Sequence, residues 1–241
     1  MRHDLIDFHT HILPGVDDGS GDVTTSLEML RRQWEQGVGH VVLTPHFYPE
    51  DDTPEHFLAK RDGALRQLSE AMEQTGSLPQ VYTGAEVAYF RGMSECDELH
   101  QLCVHGTKYI LVELPMAKWD EKIFRELAEI RHKQGLTPVI AHVDRYLPRF
   151  GAKRMVETLL RQPVLIQANA GAFFRRGSAA LMLQLLEKGM IHLLGSDSHD
   201  LSDRVPNLGQ AAERIVKALG SKVLEQFNEV GQSILQIPVS V

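Results

Sequence analysis

The sequence predicts an α/β fold in which seven strand–helix units form a closed or nearly closed barrel. Short apolar runs alternate with longer helical stretches along the chain, and no clear linker interrupts them. This alternation is typical of a parallel sheet covered by helices. The count of seven predicted strands is one short of the commonest barrel design.

The predicted elements follow one another in a regular order. The strands end near His9, His46, Glu86, Glu113, His142, Asn169 and Asp197. The helices are predicted at about residues 23–36, 54–75, 120–134, 152–161, 178–188 and 207–219. Several stop at a glycine, which tolerates the left-handed conformation that ends a helix: Gly37, Gly76, Gly135, Gly189 and Gly220. We therefore expect a single domain over residues 1–241, large enough to bury a substantial core.

The composition excludes several classes of protein. The net charge of −7 argues against a nucleic acid as the main partner, since the sequence has no basic stripe to meet a phosphate backbone. No apolar run approaches the length of a membrane span, and the polar N-terminus lacks the apolar core of a signal peptide. The two cysteines, Cys96 and Cys103, indicate no disulfide framework, which is typical of a reducing compartment. We expect a cytoplasmic protein without membrane insertion or a nucleic acid partner.

The first strand ends in a pair of histidines. In Asp7-Phe8-His9-Thr10-His11, residues two apart share one face of a strand. His9 and His11 therefore project together, with Asp7 behind them. Two imidazoles held side by side on a rigid strand can chelate a divalent metal.

The other predicted strands also run into side chains that can bind metals. The residues concerned are His46, Glu86, Glu113, His142, Asp197 and His199. Because parallel strands end on one rim, these side chains are expected to meet there. A site for several metal ions is the economical explanation of this repeated pattern.

Two loops on the same rim are unusual. The loop after the paired histidines contains Asp17-Asp18-Gly19, and its position favours one of the two aspartates as a ligand over plain turn chemistry. The acidic, aromatic loop at 47–54 is either a solvated connector or a recognition loop. Phe173, Phe174, Arg175 and Arg176 also follow a strand on this rim, where they either receive an acidic or aromatic peptide or form a solvated loop.

These residues and their motifs resemble those of the PHP superfamily, named for polymerase and histidinol phosphatase. Within it, the chain is similar to the bacterial protein-tyrosine phosphatases of capsular and exopolysaccharide biosynthesis loci. The resemblance covers about residues 5 to 235. It rests on His11-Ile-Leu-Pro-Gly-Val-Asp-Asp-Gly19, Thr44-Pro-His46, Lys108-Tyr-Ile-Leu-Val-Glu113, Ala141-His142 and Ser196-Asp197-Ser-His199.

The resemblance implies a distorted seven-stranded (β/α)7 barrel, TIM-like and of the PHP type, and a site for three divalent metal ions. Manganese is the metal that it favours, with iron or zinc as alternatives. The implied ligand sets are His9, His11, Glu86 and Asp197; Glu86, Glu113 and His142; and Asp18, His46 and His199. Glu86 would bridge the first two ions.

Two arginines match positions that hold the phosphate in the family. Arg145 and Arg204 are these residues. The sequence departs from the family pattern before the first of them, where Val143-Asp144 stands in place of proline or isoleucine followed by glutamate. The shorter Asp144 carboxylate could change how Arg145 is oriented.

The implied activity is hydrolysis of phosphotyrosine on a protein. The implied partner is a bacterial tyrosine kinase that controls capsule or exopolysaccharide synthesis. Three divalent ions and the ligand carboxylates would leave the site with a net charge of about +2, which matches a phosphate monoester. The expected mechanism uses a metal-activated hydroxide, with the two arginines stabilising the phosphoryl oxygens.

Other functions remain open from the residues alone. A related phosphoesterase could act on a small substrate such as histidinol phosphate, or as an exonuclease, which the acidic balance disfavours. An amidohydrolase also opens with His-x-His, and a non-catalytic metal-binding scaffold is a further alternative. A cysteine phosphatase is excluded because Cys-x5-Arg is absent: Leu102 and Tyr109 stand six positions after the two cysteines.

Overall fold

The strands of the chain pair in parallel throughout the residues described by this computed structural model, which are 3–117, 119–147 and 157–237. The strands are β1 (Leu5–Thr10), β2 (Val38–Leu43), β3 (His46–Phe47), β4 (Gln80–Thr83), β5 (Glu86–Ala88), β6 (Tyr109–Glu113), β7 (Thr137–Ile140), β8 (Leu165–Asn169) and β9 (Leu193–Gly195). They form one sheet in the order β1-β2-β4 and a second in the order β3-β5-β6-β7-β8-β9.

The helices lie between the strands, as the alternation predicts. They are α1 (Val23–Glu35), α2 (Pro54–Glu73), α3 (Glu121–Glu129), α4 (Val143–Tyr146), α5 (Ala179–Glu187), α6 (Leu208–Leu219) and α7 (Ser221–Leu235). A π-helical turn at Ile130–Gln134 extends α3. Among the described residues, no helix combines the length and apolar character required to cross a bilayer.

The sheets curl toward each other because two predicted strands are interrupted. Thr44-Pro45 separates β2 from β3, and Gly84-Ala85 separates β4 from β5. Proline lacks the N–H that a ladder needs, which explains the first break. On the other side, Thr10 bridges Ser198 in parallel. The result is an α/β fold with a curled parallel sheet, in which the predicted strands at His46 and Glu86 are each split in two.

The predicted helix at 152–161 lies partly outside the described residues, which resume at 157. Two observed helices are not predicted by the sequence, the short α4 and the final α7. Helix α7 follows α6 after only Gly220, whose φ of 88° ends α6 without an intervening loop. Its C-terminal residues Ile234 and Leu235 pack with Ile6 and Phe8 of β1.

Candidate metal centre

The candidate ligands meet on one rim of the curled sheet. His9 lies in β1 and His11 follows it directly. His46 and Glu86 begin the short strands β3 and β5, and Glu113 ends β6. The others follow β1, β7 or β9: Asp18, His142, Asp197 and His199. One rim of the sheet carries all of these side chains, the edge at which α/β folds build their sites.

The two imidazoles of the first strand are held in defined orientations. His9 Nδ1 lies 3.3 Å from Gln167 Oε1, and His11 Nδ1 lies 2.6 Å from Asp17 Oδ2. Because both partners are acceptors, they hold a proton on Nδ1 and direct Nε2 toward the centre. The two Nε2 atoms are 3.0 Å apart.

Glu86 is the carboxylate at the middle of the cluster, and it is almost fully buried. Its Oε2 lies 3.1 Å from His9 Nε2, 3.2 Å from His11 Nε2 and 3.1 Å from His46 Nδ1. Its Oε1 lies 2.7 Å from His142 Nε2. One carboxylate therefore contacts four imidazoles, an arrangement suited to a bridging ligand.

Three overlapping groups of donor atoms are close enough for each to hold a metal ion. The atoms of each group all lie within 4.8 Å of one another. The groups are His9, His11 and Glu86; His46, Glu86 and Glu113; and His11, Asp18, His46 and His199. His142 is not in the group that contains Glu113, although its Nε2 lies 3.4 Å from Glu113 Oε1.

The loop after β1 gives its two adjacent aspartates different positions. Asp17 is mostly buried, and besides its contact with His11 it accepts a hydrogen bond from the backbone N–H of His46 at 2.9 Å. Asp18 is exposed, and its Oδ1 lies 3.4 Å from His199 Nε2. Asp17 therefore orients an imidazole from behind, whereas Asp18 faces the donor atoms.

Two glycines allow the backbone to approach the first-strand histidines closely. A Cβ on Gly19 would lie 2.1 Å from the carbonyl oxygen of His11, and a Cβ on Gly195 would lie 2.5 Å from His9 Cβ. A side chain at either position would displace a histidine, so both positions require glycine.

The two predicted phosphate-binding arginines both contact Asp197. Arg204 donates from Nη2 to Asp197 Oδ1 at 2.7 Å, and Arg145 contacts Oδ2. Asn169 also donates to Oδ2, at 2.8 Å. Each arginine is about one-third exposed, 33% for Arg145 and 35% for Arg204, so neither side chain is enclosed by the protein.

Two candidate ligands sit in the left-handed backbone region. His142 has a φ of 33° and Asp197 a φ of 54°. Residues other than glycine avoid this region, and they concentrate there at functional sites. In both, the chain turns sharply as it leaves a strand, which points the side chain into the rim.

Gln167 supports the site, although the sequence does not predict this role. Its Oε1 contacts His9 and also accepts from the backbone N–H of His142 at 2.6 Å. Asp144, where the chain departs from the family pattern, accepts through its Oδ1 from the backbone N–H of Asn169 at 2.8 Å. Gln167 lies two residues before the predicted strand end at Asn169, so the two residues share a face of the strand. This spacing is the only sign in the sequence that Gln167 belongs to the site.

Asp7, in contrast, does not join the donor cluster. Its Oδ1 accepts from the backbone N–H of Ser196 at 2.8 Å, and its Oδ2 accepts from Gln33 Nε2 at 2.5 Å. Burial raises the pKa of Asp7, although these hydrogen bonds oppose the shift. Asp7 thus ties β1 to α1 and to the chain after β9.

Burial lowers the pKa of the histidines in the cluster, whereas neighbouring carboxylates raise it. For His11, burial disfavours the cation, but contacts with Asp17 and Glu86 outweigh it and raise the pKa to about 10. For His142, burial is likewise outweighed by the two neighbouring glutamates, which raise the pKa to about 9. Burial, together with the His11 cation, lowers the pKa of His199 to about 4. In metal-free protein at neutral pH, the imidazoles of His11 and His142 are therefore protonated on both ring nitrogens and carry a positive charge.

Stability of the metal-free protein is expected to fall as the pH rises from about 6.5 to about 10. A histidine with a raised folded-state pKa contributes stability that is complete below its unfolded value of roughly 6.5 and is lost as the pH passes through the folded value. His11 and His142 both titrate in this window. For a chain of this size, a loss of roughly 2 kcal/mol lowers Tm by about 4–8 °C.

Differential scanning calorimetry of chelator-treated protein checks this expectation. The variant Asp17→Asn removes the charge paired with His11 and should flatten the dependence. A Tm that is constant or rises over this pH window would contradict the pairing.

Several buried polar atoms of the cluster lack a well-formed hydrogen bond within the described part of the chain, and this shows whether the residues fit a metal ion. Among the described residues, Glu86 Oε2, His46 Nδ1, His142 Nδ1 and His199 Nε2 make no hydrogen bond of good geometry, although Glu86 Oε2 lies within 3.2 Å of three imidazole nitrogens. Leaving such an atom unsatisfied costs about 1–3 kcal/mol. Imidazole and carboxylate donors suit manganese, iron or zinc, so the donor set fits a divalent metal.

The family of capsular polysaccharide synthesis proteins CpsB/CapC matches residues 5–235. The chain belongs to the CpsB/CapC family. It is 28% identical to the tyrosine-protein phosphatase YwqE of Bacillus subtilis, over 96% of this chain and 92% of that protein. It is 30% identical to the tyrosine-protein phosphatase CpsB of Streptococcus pneumoniae, over 92% of this chain and 94% of that protein.

Solved structures are similar across the whole length. One is described as YwqE from Bacillus subtilis and CpsB from Streptococcus pneumoniae, unique metal-dependent tyrosine phosphatases. It superposes with a TM-score of 0.86 at 26% identity, covering 98% of this chain and 96% of that chain. The phosphotriesterase homology protein from Escherichia coli shares the fold, with a TM-score of 0.51 at 12% identity over 94% of this chain and 97% of that chain.

A cavity of about 430 Å³ opens beside the candidate centre of this CpsB/CapC chain. Asp18 and His46 belong to both the cavity wall and the centre. Tyr48 is 41% exposed, and its ring stacks on that of His46 with 5.0 Å between centroids. The acidic loop at 47–54 therefore forms a wall of the cavity, with Asp51 and Asp52 facing it.

The other unusual loop of this CpsB/CapC chain divides between core and surface. Phe173 is fully buried, which makes it a packing residue. Phe174, Arg175 and Arg176 are exposed on the same rim.

Proposed function

We propose that this CpsB/CapC-family chain is a metal-dependent protein-tyrosine phosphatase. The observation that carries the proposal is the meeting of three overlapping donor groups with two guanidinium groups at one rim of the sheet. The names of the relatives and the match along 98% of the chain to a structure described as a metal-dependent tyrosine phosphatase support it.

The site is proposed to bind three divalent metal ions, with manganese favoured over iron and zinc. His9, His11, Glu86 and Asp197 would hold one; Glu86, Glu113 and His142 a second; Asp18, His46 and His199 the third. When bound, such ions supply Lewis-acid chemistry, which neutralises phosphate charge and lowers the pKa of water in their coordination sphere. The second set is supported by the short distance from His142 Nε2 to Glu86 Oε1.

Arg145 and Arg204 are the proposed phosphate-binding residues. Both contact the carboxylate of Asp197, which places the two guanidinium groups next to each other. A guanidinium group donates two parallel hydrogen bonds to phosphate oxygens. Preorganised donors of this kind stabilise the charge of the phosphoryl group in the transition state without further reorganisation.

The cavity beside the centre is proposed to receive the tyrosyl ring. Its walls include aromatic faces from Phe47, Tyr48 and Phe57, and aromatic rings prefer offset or edge-to-face packing with one another. A tyrosyl leaving group has a conjugate acid of pKa roughly 10, so its departure needs less protonation than that of an alkyl alcohol.

The proposed substrate is phosphotyrosine on a protein, with a bacterial tyrosine kinase as the partner and the cytoplasm as the compartment. The family's place in capsular polysaccharide synthesis supports this partner. Exposed apolar side chains around the centre, Tyr48, Met116 and Phe174, support a surface for a macromolecule. Both cysteines are free thiols, which is consistent with a reducing compartment.

We further propose that the curled sheet is a distorted (β/α)7 barrel within a single domain. The two split strands count as one position each, which leaves seven positions around the axis. The bridge from Thr10 to Ser198 and the hydrogen bond from the backbone N–H of Asp197 to His9 O, 2.8 Å long, support the connection between the last position and the first.

A comparison of substrates tests the proposed function. Metal-loaded protein should hydrolyse a phosphotyrosyl peptide with a kcat/KM at least about tenfold higher than that for histidinol phosphate, a difference of roughly 1.4 kcal/mol. Inorganic phosphate release measures both. A preference for histidinol phosphate would favour the small-molecule phosphatase, and hydrolysis of neither would reject the phosphatase.

A further inference from the structure

A second cavity, lined in part by residues of α3, has a different character. It measures about 410 Å³ and is lined by Tyr89, Arg91, Lys122, Arg125, Glu126 and Glu129. Three of its six lining side chains are cations, although the protein as a whole carries a net charge of −7.

The two carboxylates of this basic cavity are already occupied. Glu126 accepts from the backbone N–H of Ser94 at 3.1 Å and from the Tyr89 hydroxyl at 3.3 Å. Glu129 pairs with Lys133 at 3.1 Å. These contacts hold both acids in place from within the protein.

The three cations, in contrast, are exposed. Arg91, Lys122 and Arg125 form no ion pair with a carboxylate within residues 3–117, 119–147 and 157–237. Three cations against two carboxylates give the lining a net charge of +1, and exposed cations around a concave surface attract anions.

Tyr89, which lines the basic cavity, is linked through the backbone to two of the candidate ligands. Tyr89 comes three residues after Glu86, and its backbone N–H donates to the carbonyl oxygen of Glu113 at 2.8 Å. Lys122 and Arg125 lie in the first half of α3, which begins on the same rim after β6. An extended peptide with its phosphotyrosine at the centre can therefore reach this cavity with a side chain a few residues away.

We propose that the basic cavity binds an anionic side chain of the phosphoprotein substrate, a glutamate, aspartate or second phosphotyrosine close to the phosphotyrosine that is hydrolysed. This inference rests on the proposed function and adds a specificity determinant to it. The cavity that contains His46 is lined instead by Asp51 and Asp52. The substrate is thus selected by charge at the basic cavity.

Charge reversal tests the proposal. Three phosphotyrosyl peptides are compared, which differ only in flanking glutamate, glutamine or lysine. The variant Arg125→Glu should lower kcat/KM for the glutamate peptide about three- to fivefold, since exposed ion pairs are weak. It should raise kcat/KM for the lysine peptide. Arg91→Glu combined with Arg125→Glu should lower the value for the glutamate peptide about tenfold or more.

Two controls isolate the cavity from the centre. Arg214→Glu, an exposed residue on α6, makes the same change of charge elsewhere and should leave the order of the peptides unaltered. Hydrolysis of p-nitrophenyl phosphate, which has no flanking residues, should stay within about twofold in every variant. Equal losses for all three peptides, or the same shift with Arg214→Glu, would overturn the proposal.

Binding provides a readout that does not depend on turnover. Fluorescence anisotropy with labelled peptides that carry a non-hydrolysable phosphonate in place of the phosphotyrosine gives Kd for the wild type and Arg125→Glu. The glutamate peptide should bind the variant about three- to fivefold more weakly, and an unchanged Kd would reject the cavity. If wild-type protein hydrolyses phosphotyrosyl peptides without preference among the flanks, only this inference fails; the proposed function stands.

Discussion

Removal of divalent metal is expected to lower phosphotyrosyl peptide hydrolysis by about ten thousandfold or more, which corresponds to roughly 5 kcal/mol of transition-state stabilisation. The donor groups of the described residues contain no cysteine, and the sequence lacks the Cys-x5-Arg motif of a thiolate nucleophile. The assay compares chelator-treated protein, verified by elemental analysis, with protein reloaded with manganese, iron or zinc.

The recovery after reloading also identifies the metal. Reloading with the correct ion should restore the initial rate, and at saturation the metal content should approach three ions per chain. Full activity in protein shown to be metal-free would contradict the proposed function.

Glu86→Ala is expected to lower metal content as well as kcat/KM, the latter by about a thousandfold or roughly 4 kcal/mol. Glu86 contacts four imidazoles, and it belongs to two of the three donor groups. Its loss should therefore affect at least two ions. Glu86→Gln preserves the shape and separates charge from packing, and Glu121→Gln on the exposed face of α3 is the matched control.

Unlike Glu86→Ala, the variants Arg145→Ala and Arg204→Ala are expected to lower kcat/KM without lowering metal content. Guanidinium groups have no acceptor and cannot ligate a cation, so metal content should stay intact. The loss of charged hydrogen bonds, about 1.5–3 kcal/mol each, should lower kcat/KM by about ten- to a hundredfold. Metal lost with Arg204→Ala and retained with Glu86→Ala would show that the assignment of the site is wrong.

The positions of the candidate ligands could be predicted because parallel strands end on one rim. A residue that follows an apolar run, such as Glu113 or His142, needs only the direction of its strand to be placed there. The α/β class followed from the same alternation. These features depend on local sequence, and they agree with the observed strand order.

The rest depends on contacts that no local pattern encodes. Asp17 and Asp18 are chemically identical neighbours, and only the course of the loop distinguishes the aspartate behind His11 from the one facing His199. Gln167 supports His9 across 158 positions of the chain. The splitting of the strands before His46 likewise arises from Pro45 and from the curl of the whole sheet.

The left-handed backbone at His142 and Asp197 has a consequence for protein engineering. Each such conformation costs a residue other than glycine about 1–3 kcal/mol, so glycine at either position would relax the backbone while deleting a candidate ligand. Thermal stability alone therefore does not distinguish a chain with a relaxed backbone from one that keeps its candidate ligands. Selection for a more thermostable variant of this protein has to measure metal content and thermal stability together.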